Sequence, residues 1–466
     1  MLGKTISLWI VIAVLVFVAF TTCVSAQTIF VDIYNGSDTN SGTREKPLKT
    51  IKQAAELVNN SKEEGPSLIK IAPGVYNLSD FVLFENKRSY TKDARLVIEA
   101  TILPDDPGWT PLLIPVIIST AVPTKDEFGP VMYGFKIEVS HATIRGLKFL
   151  GNPIMYSRYY PIWRAGDALE DLVVTQCMFV GDEDALPIHL AVIANGHGLV
   201  VDHCVFYNCK NTIVFWNAKE GKSRDNAMKY CIVDGAYVSG IWTCQTTEDF
   251  EFHHNIITRS EYFWMRDNQV KEKYKYKLAD CIVTDNKFYS GGFGPAGTNP
   301  SGPEITFDEK YLIKKGKVTL EKNPNSREYL HVVPGTPGRN LGAGLFFHPK
   351  DPAITTIKQI INEAGIDAAI KKFNTIKASN KFYFQEDAFN ALGYKFIGQK
   401  KIKDAISIFK MNVEIFPKSA NAYDSLGESY MNNNEKELAI KNFKKSLELN
   451  PNNQNAIKML KKLGKD

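Results

Sequence analysis

Two stretches at the centre of the chain, "LVVTQCMFVG" (172–181) and "LVVDHCVFYN" (199–208), share one pattern. Each has apolar residues, a short polar pair, a cysteine, one variable position and a further apolar residue. Short segments of this kind, with apolar residues at alternate positions, are typical of β-strands. The pattern recurs in "ATIRGLKFLG" (142–151), "MKYCIVDG" (228–235), "FEFHHNIITR" (250–259) and "IVTDNKFYSG" (282–291).

The repeated position in these segments, here called the rung, recurs every 24 to 31 residues. Strand-rich repeats at this spacing predict the coils of a parallel β-helix. Alternation along each strand then directs the apolar residues on either side of the rung into the interior. The rungs are Leu147, Cys177, Cys204, Cys231, Asn255 and Asn286, and the flanking interior residues are Ile144, Val174, Val201, Met228 and Phe252, then Phe149, Phe179, Phe206, Val233 and Ile257. The cysteines are expected to be buried thiols, with a disulfide between neighbouring rungs as the alternative.

The segments on either side of the repeats complete this picture. Before them come "NGSDTNSGTREKPLKTIKQAAELV" (35–58) and "IKIAPGVYNL" (69–78), and after them comes "GTPGRNLGAGLFFHPKDP" (335–352). With the repeats, these motifs resemble the pectate-lyase-like right-handed parallel β-helix superfamily over about residues 28–347. The resemblance implies an all-β domain over 27–347 with a capping helix at its open end. It also implies a groove for polysaccharide on the strand that follows the long variable loop of each coil.

The C-terminal region contains a different repeat. "FNALGYKFIGQKKIKDAISIFKMNVEIFP" (389–417) and "YDSLGESYMNNNEKELAIKNFKKSLELNP" (423–451) superpose at a shift of 34 residues. They resemble the tetratricopeptide repeat, in which small residues let two helices approach and a proline follows the second helix. An all-α domain is therefore expected over 386–466, after a linker (348–385) that includes a degenerate unit, "GIDAAIKKFNTIK" (365–377). The repeats would dock a protein partner or serve only as a cap or spacer.

Charge and the N-terminal sequence bear on partners and location. The formal net charge is +5, from 56 basic and 51 acidic residues, which gives no reason to expect nucleic acid as a partner. Lys4, the apolar run "LWIVIAVLVFVAF" (8–20) and the small residues that follow predict a signal peptide over 1–26. The protein would then be secreted or periplasmic, with no membrane span after cleavage, and an uncleaved anchor is the alternative.

Counting from the rungs predicts one outward column on the strand after the variable loop. The column contains Trp163, His189, Trp216, Trp242 and Arg266, with Arg164 and Trp264 as further substrate-binding candidates. Large aromatic rings on an outward face are seldom left in water, so a ligand or another part of the chain is expected to cover them. Sugar rings stacked on the tryptophans and loops folded over them are both open interpretations.

The resemblance implies that this column forms the substrate groove, where a lyase needs a base and a cation that neutralises a uronate carboxylate. Arg266, His189 and Lys229 are the catalytic candidates, although Lys229 would equally suit a cross-coil ion pair. The acidic loop of Asp182, Glu183 and Asp184 predicts a Ca²⁺ site, or else a solvated turn. The expected function is a lyase acting on an acidic polysaccharide. A hydrolase on the same fold and a non-catalytic glycan- or protein-binding β-helix are the alternatives.

Overall fold

The computed structural model describes residues 26–464 except 86, 88, 107, 127–128, 155–157, 220, 245, 248–249, 268–274, 277, 295–296, 300–305, 308–311, 314–315, 348–349 and 380. The predicted signal peptide therefore lies almost wholly outside the described residues. The chain divides into two compact units, one ending at Phe347 and one beginning at His348. Within the described ranges, no helix is both long enough and apolar enough to cross a membrane.

The first unit is a parallel β-solenoid of three sheets, to which each coil contributes up to one strand per sheet. The first sheet contains Gln27–Val31, Ser67–Ile71, Leu96–Ala100, Ala142–Arg145, Glu170–Thr175, His197–Asp202, Ala227–Lys229, Glu251–His253 and Leu278–Ala279. The second contains Val75–Leu78, Val116–Ser119, Lys148–Leu150, Met178–Val180, Val205–Tyr207, Ile232–Asp234, Ile256–Thr258, Cys281–Thr284 and Leu312–Ile313. The third contains Val82–Phe84, Gly129–Ile137, Arg158–Arg164, Leu190–Ala194, Asn211–Phe215, Ser239–Thr243, Tyr262–Asp267 and Phe288–Gly294, with Thr124–Asp126 and Gly297–Asn299 added antiparallel.

Within the residues that the structure describes, three two-stranded pairs and two short helical turns lie outside the three sheets and the α-helices. The pairs are Lys222–Ser223 with Thr246–Thr247, Lys275–Tyr276 with Thr306–Phe307, and Asp351–Pro352 with Phe382–Tyr383. The 3₁₀ turns are Pro111–Leu113 and Arg339–Leu341.

The interior is built from in-register stacks of identical or similar side chains, as predicted. Phe149, Phe179 and Phe206 pair in register, with ring centroids 5.1 and 4.8 Å apart. The other predicted interior residues are also buried, and their strands pair with the same register. Each buried aromatic or aliphatic side chain stabilises the fold by roughly 1.5–3 kcal/mol. Each copy of the sequence pattern therefore contributes one layer of the interior.

The corner between the first and second sheets explains the rung. The residue before each rung has a left-handed backbone, with φ of 53° at Gln176, 48° at His203 and 53° at Tyr230, which turns the chain sharply. The following cysteine is buried as a free thiol, so the disulfide alternative is not realised. The prediction for the last rung is wrong. Ile282 pairs with Ile256, which makes Cys281 the rung after Asn255, and Asn286 lies at the next corner.

Helix α1 (Ile51–Asn60) begins after Thr50, whose hydroxyl accepts a hydrogen bond from the Gln53 N–H at 3.2 Å. Its apolar face, which includes Ile51 and Val58, is buried in the core of the first coils. The Asn59 side chain donates to the carbonyl of Leu83 at 2.9 Å, which ties the end of the helix to the third sheet. These contacts place the predicted capping helix against the beginning of the solenoid.

The outward faces of the first and second sheets are satisfied in different ways. On the first sheet, Glu99 accepts hydrogen bonds from Lys70 at 2.6 Å and from Arg145 at 2.5 Å, which forms a ladder of charges across three strands. On the second sheet, many of the outward residues are apolar, and the chain covers these with its own segment 316–347. The buried cluster that results contains Met178, Val205, Ile232, Ile256 and Ile282 from the sheet, and Leu320, Leu330, Val332, Leu345 and Phe346 from the segment.

The second unit is helical and contains α2 (Ala353–Ile376), α3 (Glu386–Gly398), α4 (Ile402–Ile415), α5 (Ala420–Asn432), α6 (Lys436–Leu449) and α7 (Gln454–Lys462). The α3–α4 and α5–α6 hairpins are the two predicted repeats. A Cβ atom on Gly393 would lie 2.5 Å from the ring of Phe409, and one on Gly427 would lie 2.8 Å from Phe443. The glycines are therefore needed for the close approach of each helix pair. The degenerate unit falls within α2, which Gly365 interrupts with φ 83°.

Candidate functional site

The outward face of the third sheet is apolar and borders a cavity of about 670 Å³, here called the groove. One outward row pairs Trp163 with Ile193, Ile193 with Val214, Val214 with Trp242, and Trp242 with Met265. A volume of this size suits a small ligand or a few units of a polymer.

The end of the groove nearest the carboxyl ends of the strands, here called the aromatic end, is formed by three tryptophans. Trp216 and Trp242 meet edge to face, with ring centroids 5.8 Å apart. Trp163 stacks on Tyr133 at 4.6 Å. Such rings present flat apolar surface with a polar N–H at the rim, which suits the C–H face and the hydroxyl groups of a sugar.

A chain of hydrogen bonds holds Trp163 in place. The indole N–H donates to Asn195 Oδ1 at 3.1 Å, and the Asn195 amide donates to Asp167 Oδ1 at 2.6 Å. Asp167 is exposed and borders the groove. The aromatic end therefore carries a carboxylate as well as flat rings.

The opposite end, here called the cation end, contains Arg158, His189 and Lys210 from three consecutive coils. The Lys210 ammonium lies 3.3 Å from His189 Nε2, and all three side chains border the groove. Backbone hydrogen bonds link these coils next to the cluster: His189 N–H donates to Tyr159 O at 3.0 Å, and Asn211 N–H donates to His189 O at 3.1 Å. Adjacent strands of one sheet thus hold the three basic groups side by side.

Burial and mutual repulsion shift the pKa values at the cation end. Burial, reinforced by the charges of Lys210 and Arg158, lowers the pKa of His189 to about 4, so this imidazole is neutral near pH 7. Its Nε2 can then accept a hydrogen bond from Lys210. Burial also lowers the pKa of Lys210; the nearby Glu183 carboxylate opposes this shift, and the charge of Arg158 adds to it. The cluster holds a cation, a neutral imidazole and an amine that loses its proton more readily than an exposed lysine.

The structure brings Trp163, His189, Trp216 and Trp242 together around the groove, although they do not form one straight column. His189 lies at the cation end, and Trp216 lies two residues beyond the row that contains Val214. Trp163 and Trp216 are partly exposed, whereas Trp242 is only 8% exposed, so the sugar-binding groove stays a prediction beside a cover of loops. Their roles in binding or catalysis remain predictions.

The prediction that Arg164, Trp264 and Arg266 face the groove is wrong. Trp264 is fully buried in the interior core, and its N–H donates to Thr243 Oγ1 at 3.1 Å. Arg266 lies two residues later on the same side of its strand and is 4% exposed. Arg164 is also fully buried, and its Nε donates to the carbonyl of Asn195 at 2.6 Å. Burial lowers the pKa of Arg164 to about 9.

Lys229 lies apart from the groove, whereas the acidic loop lies close enough to the cation end for the Glu183 carboxylate to act on Lys210. Lys229 is on the outward side of the first sheet, where its ammonium lies 3.7 Å from Glu251, as the ion-pair alternative suggested. In the loop, Asp182 Oδ1 accepts hydrogen bonds from the backbone N–H groups of Asp184 and Ala185, at 3.0 and 2.9 Å. Asp182, Glu183 and Asp184 are all exposed. This arrangement matches the solvated-turn alternative.

The sequence pattern did not predict Arg158, Lys210, Asp167 or Asn195 as groove residues. Two of them have a similar place in the sequence: Arg158 begins a strand of the third sheet, and Lys210 directly precedes one. The pattern does not predict these two residues, because the loops between the second and third sheets differ in length from coil to coil. No constant count from the rung therefore reaches them.

A family model described as tetratricopeptide repeat matches residues 420–453, which comprise α5, α6 and the turn that follows. No curated protein matches the chain in sequence.

Several solved structures resemble parts of the chain. The first tetratricopeptide domain of human RPAP3 is 21% identical, covers 24% of this chain and 87% of its own, and has a TM-score of 0.18. A rhamnogalacturonan lyase is 13% identical, with 69% and 100% covered and a TM-score of 0.33. The GH136 lacto-N-biosidase from Eubacterium ramulus is 10% identical, with 56% and 60% covered and a TM-score of 0.32. Similarities of this size do not bear on substrate or reaction.

Proposed function

We propose that this protein is an exported lyase that binds an acidic polysaccharide in the groove of the third sheet and cleaves it by β-elimination. The observation that carries the proposal is the cation end, where Arg158, His189 and Lys210 meet beside an aromatic surface. The signal peptide predicted over 1–26 supports export.

A uronate carboxylate is the ligand group that this cluster fits best. The guanidinium of Arg158 can donate two parallel hydrogen bonds to a carboxylate, and the Lys210 ammonium adds a second positive charge. Both lie in a partly buried site, where charge pairing is stronger than in bulk water. The tryptophans at the other end would then stack on neighbouring sugar rings of the same chain.

The same groups can perform the elimination. Pairing of the carboxylate with Arg158 stabilises the negative charge that develops when the proton on the adjacent carbon is removed. Lys210, as the neutral amine, takes that proton while one of its N–H groups donates to His189 Nε2. The electron pair forms a carbon–carbon double bond, the glycosidic bond to the neighbouring carbon breaks, and the leaving oxygen takes a proton from solvent. His189 is then a positioning residue for the base.

A calcium ion does not fit the acidic loop as it stands. One oxygen of Asp182 is already used by two backbone N–H groups. Across the described part of the chain, no group of three or more His, Cys, Asp or Glu side chains is arranged to hold a metal. Calcium therefore stays a prediction of the sequence, and the proposed reaction has no step through a metal.

The test is incubation of the full chain with a panel of uronate-containing polysaccharides, followed by ultraviolet absorbance of the unsaturated product. Replacing the base in Lys210→Gln should lower the rate at least about 100-fold. Arg158→Gln should also lower the rate strongly. Lys52→Gln is the matched control, because Lys52 pairs with Asp80 on the exposed surface of α1, and its rate should equal that of the wild type. An unchanged rate in Lys210→Gln would contradict the assignment of the base.

A non-catalytic glycan-binding protein is the second candidate, because the aromatic end alone suffices for binding. If this candidate is right, an acidic glycan binds without forming product, and Trp216→Ala loses that binding. A hydrolase is less well supported. It generally needs two carboxylates on either side of the scissile bond, and Asp167 is the only carboxylate among the described residues that border the groove.

The helical unit fits a role in protein docking, which is the usual use of a concave surface of stacked helices. We propose that role for residues 386–466, with a cap or spacer as the alternative. A pull-down with the full chain and with a chain that carries Gly427→Leu would test it, since the substitution forces Phe443 away and disturbs the hairpin. A partner retained by both chains would count against docking through this surface.

A further inference from the structure

The cover of the second sheet does not fill the space over the first coils, where a cavity of about 370 Å³ remains, here called the edge pocket. Its floor is one outward row of the sheet, in which four residues pair in register: Val75, Val116, Lys148 and Met178. Tyr329 borders it from the segment 316–347, and Tyr34 and Leu112 border it from loops of the first coils. The edge pocket is separate from the groove, which lies on the third sheet.

Apolar side chains around the edge pocket are left in water. Tyr34, Leu112 and Val75 are 76%, 74% and 55% exposed, and they are three of the four most exposed large apolar side chains among the described residues. Single exposed apolar residues are common on protein surfaces, whereas several that border one cavity form a patch that marks a binding site. The walls of the edge pocket therefore suit a ligand with an apolar body.

Lys148 is the cation of the edge pocket. Its side chain is partly buried, and its ammonium lies over the Tyr329 ring, 5.7 Å from the centroid. None of the described residues that line the edge pocket is acidic, and burial lowers the pKa of Lys148 with no opposing contribution from a described carboxylate. On the first sheet, by contrast, Lys70 and Arg145 both pair with Glu99. The Tyr329 ring offsets only part of the cost of burying the charge, and a ligand anion would supply the rest.

We propose that the edge pocket is a second ligand site, which binds a small organic acid by an ion pair with Lys148 and by contact of its apolar body with Val75 and Leu112. A volume of about 370 Å³ suits a single ring with a short acidic chain. Among the side chains of the floor only Lys148 is polar, so the many hydroxyl groups of a sugar acid suit this site less well. The proposal is independent of the groove and of the proposed lyase activity.

The test uses 3-phenylpropanoate as the probe and three matched compounds. 3-Phenylpropanamide has the same body without the charge, acetate has the charge without the body, and glucuronate has the charge on a polar body. Titration calorimetry with the full chain at pH 7 should show 3-phenylpropanoate binding at least about tenfold more tightly than each of the other three, because it alone combines the ion pair with apolar contact.

Lys148→Met is the decisive variant, because methionine keeps an unbranched apolar side chain and removes the charge. It should weaken binding of the acid about tenfold and leave binding of the amide unchanged, a selective loss that misfolding would not produce. Leu112→Ala should weaken the acid and the amide alike, and its exposed position makes it harmless to the fold. Lys52→Gln, the control used above, should bind both compounds as the wild type does.

Acetylation by acetic anhydride provides a second measurement, which needs no variant. Mass spectrometry of the digested wild-type chain should show that 3-phenylpropanoate slows acetylation of Lys148 severalfold and does not slow that of Lys52. The amide should protect Lys148 much less at the same concentration.

Equal affinity of the wild type for the acid and the amide would overturn the proposal, as would binding of the acid that Lys148→Met does not change. Binding that is lost in Lys210→Gln and kept in Lys148→Met would place the acid in the groove, and it would also overturn the proposal. Acetylation of Lys148 at the same rate with and without the acid would do so as well.

Discussion

The outward faces of the second and third sheets carry similar apolar side chains but have different neighbours. Over the second sheet, Val205 and Ile232 are fully buried beneath Leu330 and Phe346 of the segment 316–347. Over the third sheet, Ile193, Trp242 and Met265 are also largely buried, yet they border a cavity of about 670 Å³. Apolar area left in water costs about 25 cal/mol per Å². The segment 316–347 fills the space over the first face, whereas a cavity remains over the second.

The largest expected effect is the difference in stability lost when a ring is removed from the cover of the second sheet and when one is removed from the outward face of the third sheet. Phe346→Ala should lower the free energy of unfolding of the solenoid by about 3–5 kcal/mol, because the ring is buried against Trp109 and His331. Trp216→Ala removes a ring that is partly exposed and borders a cavity, so it should cost clearly less than Phe346→Ala. Urea unfolding followed by tryptophan fluorescence measures both, since no tryptophan lies beyond Trp264 in the sequence. Equal losses would mean that the third face is packed like the second.

An intermediate effect concerns pH and the cover of the second sheet. Burial lowers the pKa of His331, and Leu345 N–H donates to its Nε2 at 2.8 Å, so the folded state holds the neutral ring. An unfolded histidine takes a proton below about pH 6.5. The stability that His331 contributes is therefore complete above that pH and is lost as the pH falls.

Denaturation midpoints at pH 7, 6 and 5 test this contribution. The free energy of unfolding should fall by at most about 1.4 kcal/mol per pH unit for this one proton. His331→Gln should show a shallower fall over the same range. His189, whose pKa is shifted in the same direction, titrates in both proteins and cancels from the difference. A variant with the same slope as the wild type would show that the cover does not depend on neutral His331.

The smallest effect is expected on the first sheet, whose outward face needs no cover because it is charged. Lys229→Ala should change the free energy of unfolding by less than about 1 kcal/mol, because its ion pair with Glu251 is partly exposed. The rate of glycan cleavage should stay within twofold of the wild type, because Lys229 is on a different sheet from the groove. A large loss of cleavage would restore Lys229 as a catalytic candidate.

The interior of the solenoid was predictable because its side chains repeat. On the first sheet, the inward residues Val174, Val201 and Met228 are each followed by an outward polar residue, Thr175, Asp202 or Lys229, and that contrast separates inside from outside. The third sheet lacks this contrast. Trp264 faces in and Met265 faces out, yet both are apolar. With apolar residues on both faces, alternation no longer sorts the side chains, and Arg266 was placed on the wrong side for that reason.

The sequence by itself determined the two kinds of repeat, the layered interior and the presence of unusual aromatic residues on the third strand of each coil. Parallel in-register pairing makes each coil bury the same positions as its neighbour, so one period in the sequence is enough to specify them. Only the tertiary structure decided which side chains share the groove. Arg158, His189 and Lys210 lie in three successive coils, and corner loops of unequal length bring them to the same end of adjacent strands. A change in loop length shifts a residue along the coil but does not change the repeating pattern. The sequence pattern therefore cannot specify which side chains meet in the groove.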